Sequence, residues 1–161
     1  MAMLKSILVP IDGSPGSLAA LDHAVSLAVD YDAAIDVLHV VHPEDATSPD
    51  AWEEVGRAMN GAIDRAQAAL DDQRLTRRVV TGEPLPTIVD LAQRDHYDLI
   101  VMGTHGRVGR LHSLLGSVAE GVVRNAPCPV LTVRDPSGGY QSFAERRHHR
   151  PSVADAEGEV H

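Results

Sequence analysis

Asp98-Leu99-Ile100-Val101-Met102-Gly103-Thr104-His105-Gly106-Arg107-Val108-Gly109-Arg110-Leu111-His112-Ser113-Leu114-Leu115-Gly116-Ser117-Val118 is the stretch that decides the fold of this chain. Its first five residues are a short, nearly unbroken apolar run, which reads as a buried strand. The strand runs into Gly103 and Gly106, and a polar loop over residues 103–112 carries Arg107 and Arg110. Residues 113–125 read as a helix, interrupted or initiated near Gly116, where Ser117 with Glu120 fits a capping box. Strand, glycine loop and helix N-terminus in succession make an anion cradle. Glycines admit backbone N–H groups close to an anion without a Cβ in the way, and a helix start adds unpaired donors and a favourable dipole.

The same alternation extends to both sides. Ser6 to Ile11 is a buried strand ending at Asp12-Gly13, and Ser14-Pro15 is an N-cap followed by proline at the first helical position. Leu18, Leu21, Ala24, Val25, Leu27 and Ala28 recur at helical spacing, so residues 15–30 are a helix. Ala34 to Val41 is the second strand. Ser48-Pro49 repeats the cap signal and opens a helix to about Asp72, with Asp50, Glu53 and Glu54 placed early to suit its dipole. Leu75 to Thr81 is the third strand, residues 82–86 a turn, Thr87 to Arg94 a helix and Pro129 to Arg134 the fifth strand.

Alternating elements with apolar strands imply an α/β fold, a parallel sheet with helices on both faces. Ligands in such open sheets lie at the carboxyl ends of strands where the strand order reverses. Here the loaded carboxyl ends are those of the first strand (Pro10, Asp12, Gly13) and the fourth (Gly103, Gly106). That favours an open five-stranded parallel sheet in the order 3-2-1-4-5 over 2-1-3-4-5. After Arg134, Asp135-Pro136-Ser137-Gly138-Gly139 is a breaker. Residues 1–135 are therefore expected to form one domain and residues 136–161, almost without apolar periodicity, a disordered tail.

Composition narrows the function classes. The 161 residues are 43% hydrophobic but only 3% aromatic, so the core is built from Val, Leu, Ile and Ala. A net charge of −9 argues against a general nucleic-acid binder, which needs a basic footprint. Lys5 is the only lysine, a bias that fits either a high-salt cytoplasm or GC-rich codons. Cys128 stands alone, which excludes an internal disulfide and a cysteine metal cluster. The N-terminus has no signal-peptide apolar core and no run is long enough to span a membrane, so the expected location is the cytoplasm.

In the 3-2-1-4-5 order Asp12 faces the glycine loop across the crevice. A carboxylate accepts two ribose hydroxyls while the loop holds phosphates, which outlines a nucleotide pocket. Here the chain resembles the universal stress protein family in its ATP-binding, UspA-like branch. That branch carries Gly-x-x-Gly, nine residues, then Gly-Ser or Gly-Thr; this chain has Gly103, Gly106, residues 107–115, Gly116 and Ser117. Residues 7–14, Leu38-His39-Val40 and residues 128–133 are also family-like, and the similarity covers about residues 3–134.

The resemblance implies a Rossmann-like fold of the adenine nucleotide alpha hydrolase type with ATP as ligand. Asp12 would contact ribose or adenine, Pro10 and Val40 would line the base site, and Met102 and Gly103 would border the pocket. Gly106, Gly116, Ser117 and Val118 would offer backbone or hydroxyl contacts to the phosphates. Arg107 is the candidate phosphate charge beside them, or a charge that steers the anion in. Relatives are usually homodimers paired through the last strand, here Pro129 to Arg134. A divalent ion, Mg²⁺ or Mn²⁺, would be held mainly by the phosphates and water, because the loop has no carboxylate of its own.

Plainer roles stand beside these. Glycines after a strand also serve turns, Asp12 fits a turn in Asp-Gly-Ser, and Ser117 fits a cap. His105 and His112 read as exposed loop histidines, and His39 and Cys128 as structural residues. Three functions compete: a dimeric nucleotide-binding regulatory or stress-response protein, a slow ATP hydrolase or nucleotidyl-transfer enzyme using the same pocket, and a dimeric scaffold with an empty pocket, which the retained glycine motif disfavours. No Gly-x-x-x-x-Gly-Lys-[Ser/Thr] loop and no base for an attacking water are legible, so no catalytic residue is assigned.

Overall fold

The computed structural model describes residues 3–105 and 115–135. Gly106, Arg107, Arg110, His112 and the proposed tail 136–161 lie outside the described residues. Within them the chain runs β1 (Ser6–Pro10), α1 (Pro15–Tyr31), β2 (Ala34–Val41), α2 (Pro49–Gln67), β3 (Leu75–Thr81), α3 (Pro84–Arg94), β4 (Leu99–Gly103), α4 (Ser117–Asn125) and β5 (Val130–Val133). The five strands form one sheet in the order β3-β2-β1-β4-β5, all parallel, as the loaded carboxyl ends of β1 and β4 require. Ile7 sits opposite both Ile35 and Leu99, and Gly103 opposite Val133, so β1 and β4 lie side by side at the switch point.

Ile7, Leu8 and Val9 are fully buried because the central strand is covered on both faces. One core packs Ile7, Val9, Ile35, Val37 and Val101 against the alanine-rich face of α1 and against Ala62 and Ile63 of α2. The other packs Leu8, Leu38, Ile100 and Met102 against Ile88 and Leu91 of α3 and Val122 of α4. Each such Leu, Ile or Val contributes about 1.5–3 kcal/mol of transfer free energy. Among the described residues no helix is long and apolar enough to cross a membrane.

Helix ends follow the caps more closely than the periodicity. Ser14 and Ser48 cap α1 and α2 as their Ser-Pro signals predict, each accepting the N–H three residues on. α2 stops at Gln67 rather than near Asp72, since the chain must turn back to enter β3: Arg74 donates its guanidinium to the carbonyls of Ala28 and Ala33, anchoring the return. α3 begins at Pro84, earlier than the expected Thr87. Both Pro84 and Pro86 fall in the first turn, where a missing N–H leaves no helical bond unmade.

At the amino end of the sheet a polar group closes the face that α3 leaves open. The Tyr97 hydroxyl donates to Asp36 and accepts from Arg78 Nη1 at 3.0 Å, and Arg78 pairs with Asp95. Burial, with the bond to Asp36, pushes the Tyr97 phenol up to about 12. The hydrogen bond from Arg78 holds the Asp95 carboxyl below its ordinary value. Tyr97→Phe is expected to cost about 1–2 kcal/mol in urea unfolding, the price of leaving the half-buried Asp36 carboxylate without its donor. Asp95 adds an acid dependence. Its folded value is depressed, so its contribution is present above the unfolded carboxylate range and is lost as pH falls through the lower folded value. That component should persist in Tyr97→Phe and vanish in Asp95→Asn, measured as stability against pH.

Candidate functional site

A cleft of about 280 Å³ opens at the carboxyl ends of β1 and β4. Its wall brings together eight of the residues expected from sequence: Pro10, Asp12, Val40, Met102, Gly103, Gly116, Ser117 and Val118. The other two, Gly106 and Arg107, lie outside the described residues. The wall also contains Ser14, Ser17, Leu38, Pro84, Ile88, Thr104, His105 and Ala119, which were not singled out as ligand contacts. Thr104 and His105 stood between the motif glycines and were legible by position. Pro84 and Ile88 carry no local signal, because only the packing of α3 over the sheet places them there.

The loop after β1 is held by its own hydrogen bonds. Asp12 Oδ1 accepts the Ser14 N–H at 2.9 Å, an Asx turn that Gly13 completes at φ +80°. Asp12 is thus a turn residue and part of the cleft wall at once. On the opposite side, the glycine at 103 answers to packing. A Cβ there would lie 2.9 Å from the Gly16 carbonyl carbon and 3.1 Å from the Ser17 nitrogen, so the first turn of α1 rests on the end of β4.

The two ends of the segment 106–114 are pinned together. Thr104 donates its N–H to Val133 at 3.0 Å, and the Gly116 N–H donates to the Thr104 carbonyl at 2.6 Å. A Cβ on Gly116 would come within 3.1 Å of that carbonyl oxygen, so this approach too requires glycine. His105 is drawn in by the same contacts. It is half-buried in the cleft wall with Nδ1 3.1 Å from Thr104 Oγ1, and is not the exposed loop histidine expected from sequence.

The capping box expected at Ser117 and Glu120 does not form. Gly116 is the N-cap, no side chain caps α4, and the Glu120 N–H bonds to the Gly116 carbonyl at 2.9 Å. The contact between Gly116 and Thr104 sets the helix start one residue earlier than the box needs, which makes Ser117 the first helical residue. Its hydroxyl is then not consumed by capping. The N–H groups of Ser117, Val118 and Ala119 belong to the first turn, which has no intrahelical acceptors, and all three residues line the cleft.

The cleft wall is chemically mixed. Leu38, Val40, Pro84, Ile88 and Met102 give its wall an apolar part, and Thr104, Ser117 and the first turn of α4 give it a polar part. Asp12 is the one carboxylate on the described wall, which carries no lysine or arginine. Among the described residues no group of three His, Cys, Asp or Glu is placed to hold a metal. At the apolar rim His42 Nε2 lies 3.0 Å from Glu83 Oε1, tying the end of β2 to the start of α3. Cys128 lies away from this cleft. It is half-buried against the second core, and burial pushes its thiol up, as suits a packing residue.

The universal stress protein family model matches residues 3–134. A universal stress protein of Methanocaldococcus jannaschii is 35% identical over 143 residues, covering 83% of this chain and 84% of that one. Among solved structures, UspA from Lactobacillus plantarum superposes with a TM-score of 0.70 at 31% identity, covering 81% of this chain and 97% of that one. A universal stress protein crystallised in complex with cAMP gives a TM-score of 0.66 at 31% identity, covering 82% and 98%.

Two glycine substitutions separate backbone clash from side-chain clash. At Gly103 a Cβ meets the backbone of α1, whereas at Gly121 it meets the Leu85 side chain, which can rotate away. Gly103→Ala is expected to destabilise by about 1–3 kcal/mol and Gly121→Ala by clearly less, both read from urea midpoints.

Proposed function

The chain belongs to the universal stress protein family, and from that membership we propose that it binds an adenine nucleotide, ATP above all, and acts as a homodimeric regulatory stress-response protein of the cytoplasm. The observation that carries this reading is the composition of one cleft wall, which holds apolar residues, a carboxylate and the N-terminus of α4 together. Adenine lies on the apolar part against Val40, the ribose hydroxyls meet Asp12, and the phosphates take the N–H groups of residues 117–119 with the Ser117 hydroxyl. Gly106 and Arg107, which lie outside the described residues, are assigned to the phosphates on the sequence motif alone. The relative that holds cAMP supports the adenine-nucleotide class.

Hydrogen bonds from N–H groups to a charged acceptor are each worth about 1.5–3 kcal/mol, and the dipole of α4 adds to them. Asp12, alone among the described carboxylates on the wall, fits one ligand position at most and no protein-built metal cage. A Mg²⁺ or Mn²⁺ ion is therefore carried on the phosphates, where it would neutralise their charge. One observation favours the second reading, slow ATP hydrolysis or nucleotidyl transfer: the imidazole of His105 on the cleft wall. Turnover that disappears in His105→Ala would move the assignment to that enzyme.

Among the described residues β5 pairs with β4 alone, and Val123 of α4 is 47% exposed. The segment Pro129 to Arg134 is the proposed dimer seam. Sedimentation is expected to give twice the 17.2 kDa chain mass; a monomer at micromolar concentration overturns the dimer. Calorimetry is expected to show ATP binding, weakened at least ~10-fold by Asp12→Ala and by Gly116→Val. No heat with ATP, AMP or cAMP, together with no nucleotide released on denaturation, defeats the binding assignment.

A further inference from the structure

We propose that Ser17 is the positioning residue that fixes Asp12 for the ribose, and that through it the chain discriminates ribonucleotides from 2′-deoxyribonucleotides. The inference rests on the nucleotide reading of the cleft.

Ser17 lies in the first turn of α1 and is 5% exposed. Its Oγ donates to the Ser14 carbonyl at 2.9 Å and accepts the Asp12 N–H at 3.4 Å. Its own N–H donates to Ser14 Oγ at 3.2 Å, and the Ser14 N–H donates to Asp12 Oδ1 at 2.9 Å. Three residues are thereby closed into one ring of hydrogen bonds, with the Asp12 main chain held by Ser17 and its carboxylate turned by Ser14.

Helix capping does not explain the Ser17 hydroxyl. The cap of α1 needs Ser14 Oγ and the residue-17 N–H, and alanine at position 17 supplies that N–H equally well. Packing does not explain it either, since alanine has no buried hydroxyl to satisfy. What the hydroxyl adds is a link from the helix to the Asp12 backbone, beside Gly13 at φ +80°, which the Asx turn within the loop does not supply. The helix end of the link is seated on the sheet, where Gly16 and Ser17 pack against Gly103.

A carboxylate held to a fraction of an ångström rejects an analogue that lacks the hydroxyl it awaits, whereas a loosely held one binds either. The test compares ATP with 2′-deoxy-ATP by calorimetry on the full chain. The wild type is expected to prefer ATP by ~10-fold or more, and Ser17→Ala to reduce the preference to about 2-fold. Ser17→Cys keeps the volume with a weak hydrogen-bonding group and is expected to fall between, which provides a second reading should the alanine variant fold poorly. In an Asp12→Ala background, Ser17→Ala should leave the ratio unchanged.

A Ser17→Ala protein that weakens both nucleotides equally overturns the inference while leaving nucleotide binding intact. So does a wild type that binds ATP without preferring it, or an effect of Ser17→Ala on the ratio that survives Asp12→Ala. A wild type that binds neither nucleotide overturns the proposed function as well.

Discussion

The close approach of α1 to β4 is the constraint on which the site depends. Gly103 leaves room for Gly16 and Ser17 to lie directly on the end of β4, where a single methyl would sit 2.9 Å from a carbonyl carbon. Such a gap is far inside van der Waals contact, so a larger residue forces the helix away from the strand. Because α1 is seated there, the Asp12 loop stands across a narrow crevice from Gly116. The parallel pairing of β1 with β4 brings the two ends level, and the absence of a side chain at 103 sets their separation.

The second half of the cleft depends on backbone hydrogen bonds. β5 takes the Thr104 N–H, and the Thr104 carbonyl takes Gly116. These bonds join the strand exit to the helix entry, although nine residues lie between 105 and 115 in the chain. They also turn His105 inward and free Ser117 from the cap. The two departures from the sequence expectation in this segment, at His105 and at Ser117, thus lie beside one set of contacts.

Much of the fold was legible because strands in a doubly covered sheet declare themselves as short apolar runs. β2 and β3 fall on their expected residues, and the Ser-Pro signals mark the starts of α1 and α2. The misplacements share a reason as well. Gln67 ends α2 and Pro84 begins α3 because of where the chain must turn, which neither periodicity nor proline counting records. For the cleft, residue type and spacing found Asp12, Gly103, Gly116 and Ser117, since each carries a chemical demand visible in one residue. Pro84 and Ile88 stayed hidden, being ordinary apolar residues that matter only through the face they present.

By itself the sequence determined the class of fold, the strand order and the two loops that meet. Apolar runs, caps and glycines act over a few residues and survive as pattern. Only the tertiary structure decided what those loops do on meeting. It placed Ser117 inside the helix rather than at its cap, moved His105 from solvent to the cleft wall and added an apolar wall from α3. It also made Gly103 a packing residue. Each of these is a distance between segments far apart in the chain, and the parallel sheet, joined by whole helices between its strands, is what sets such distances.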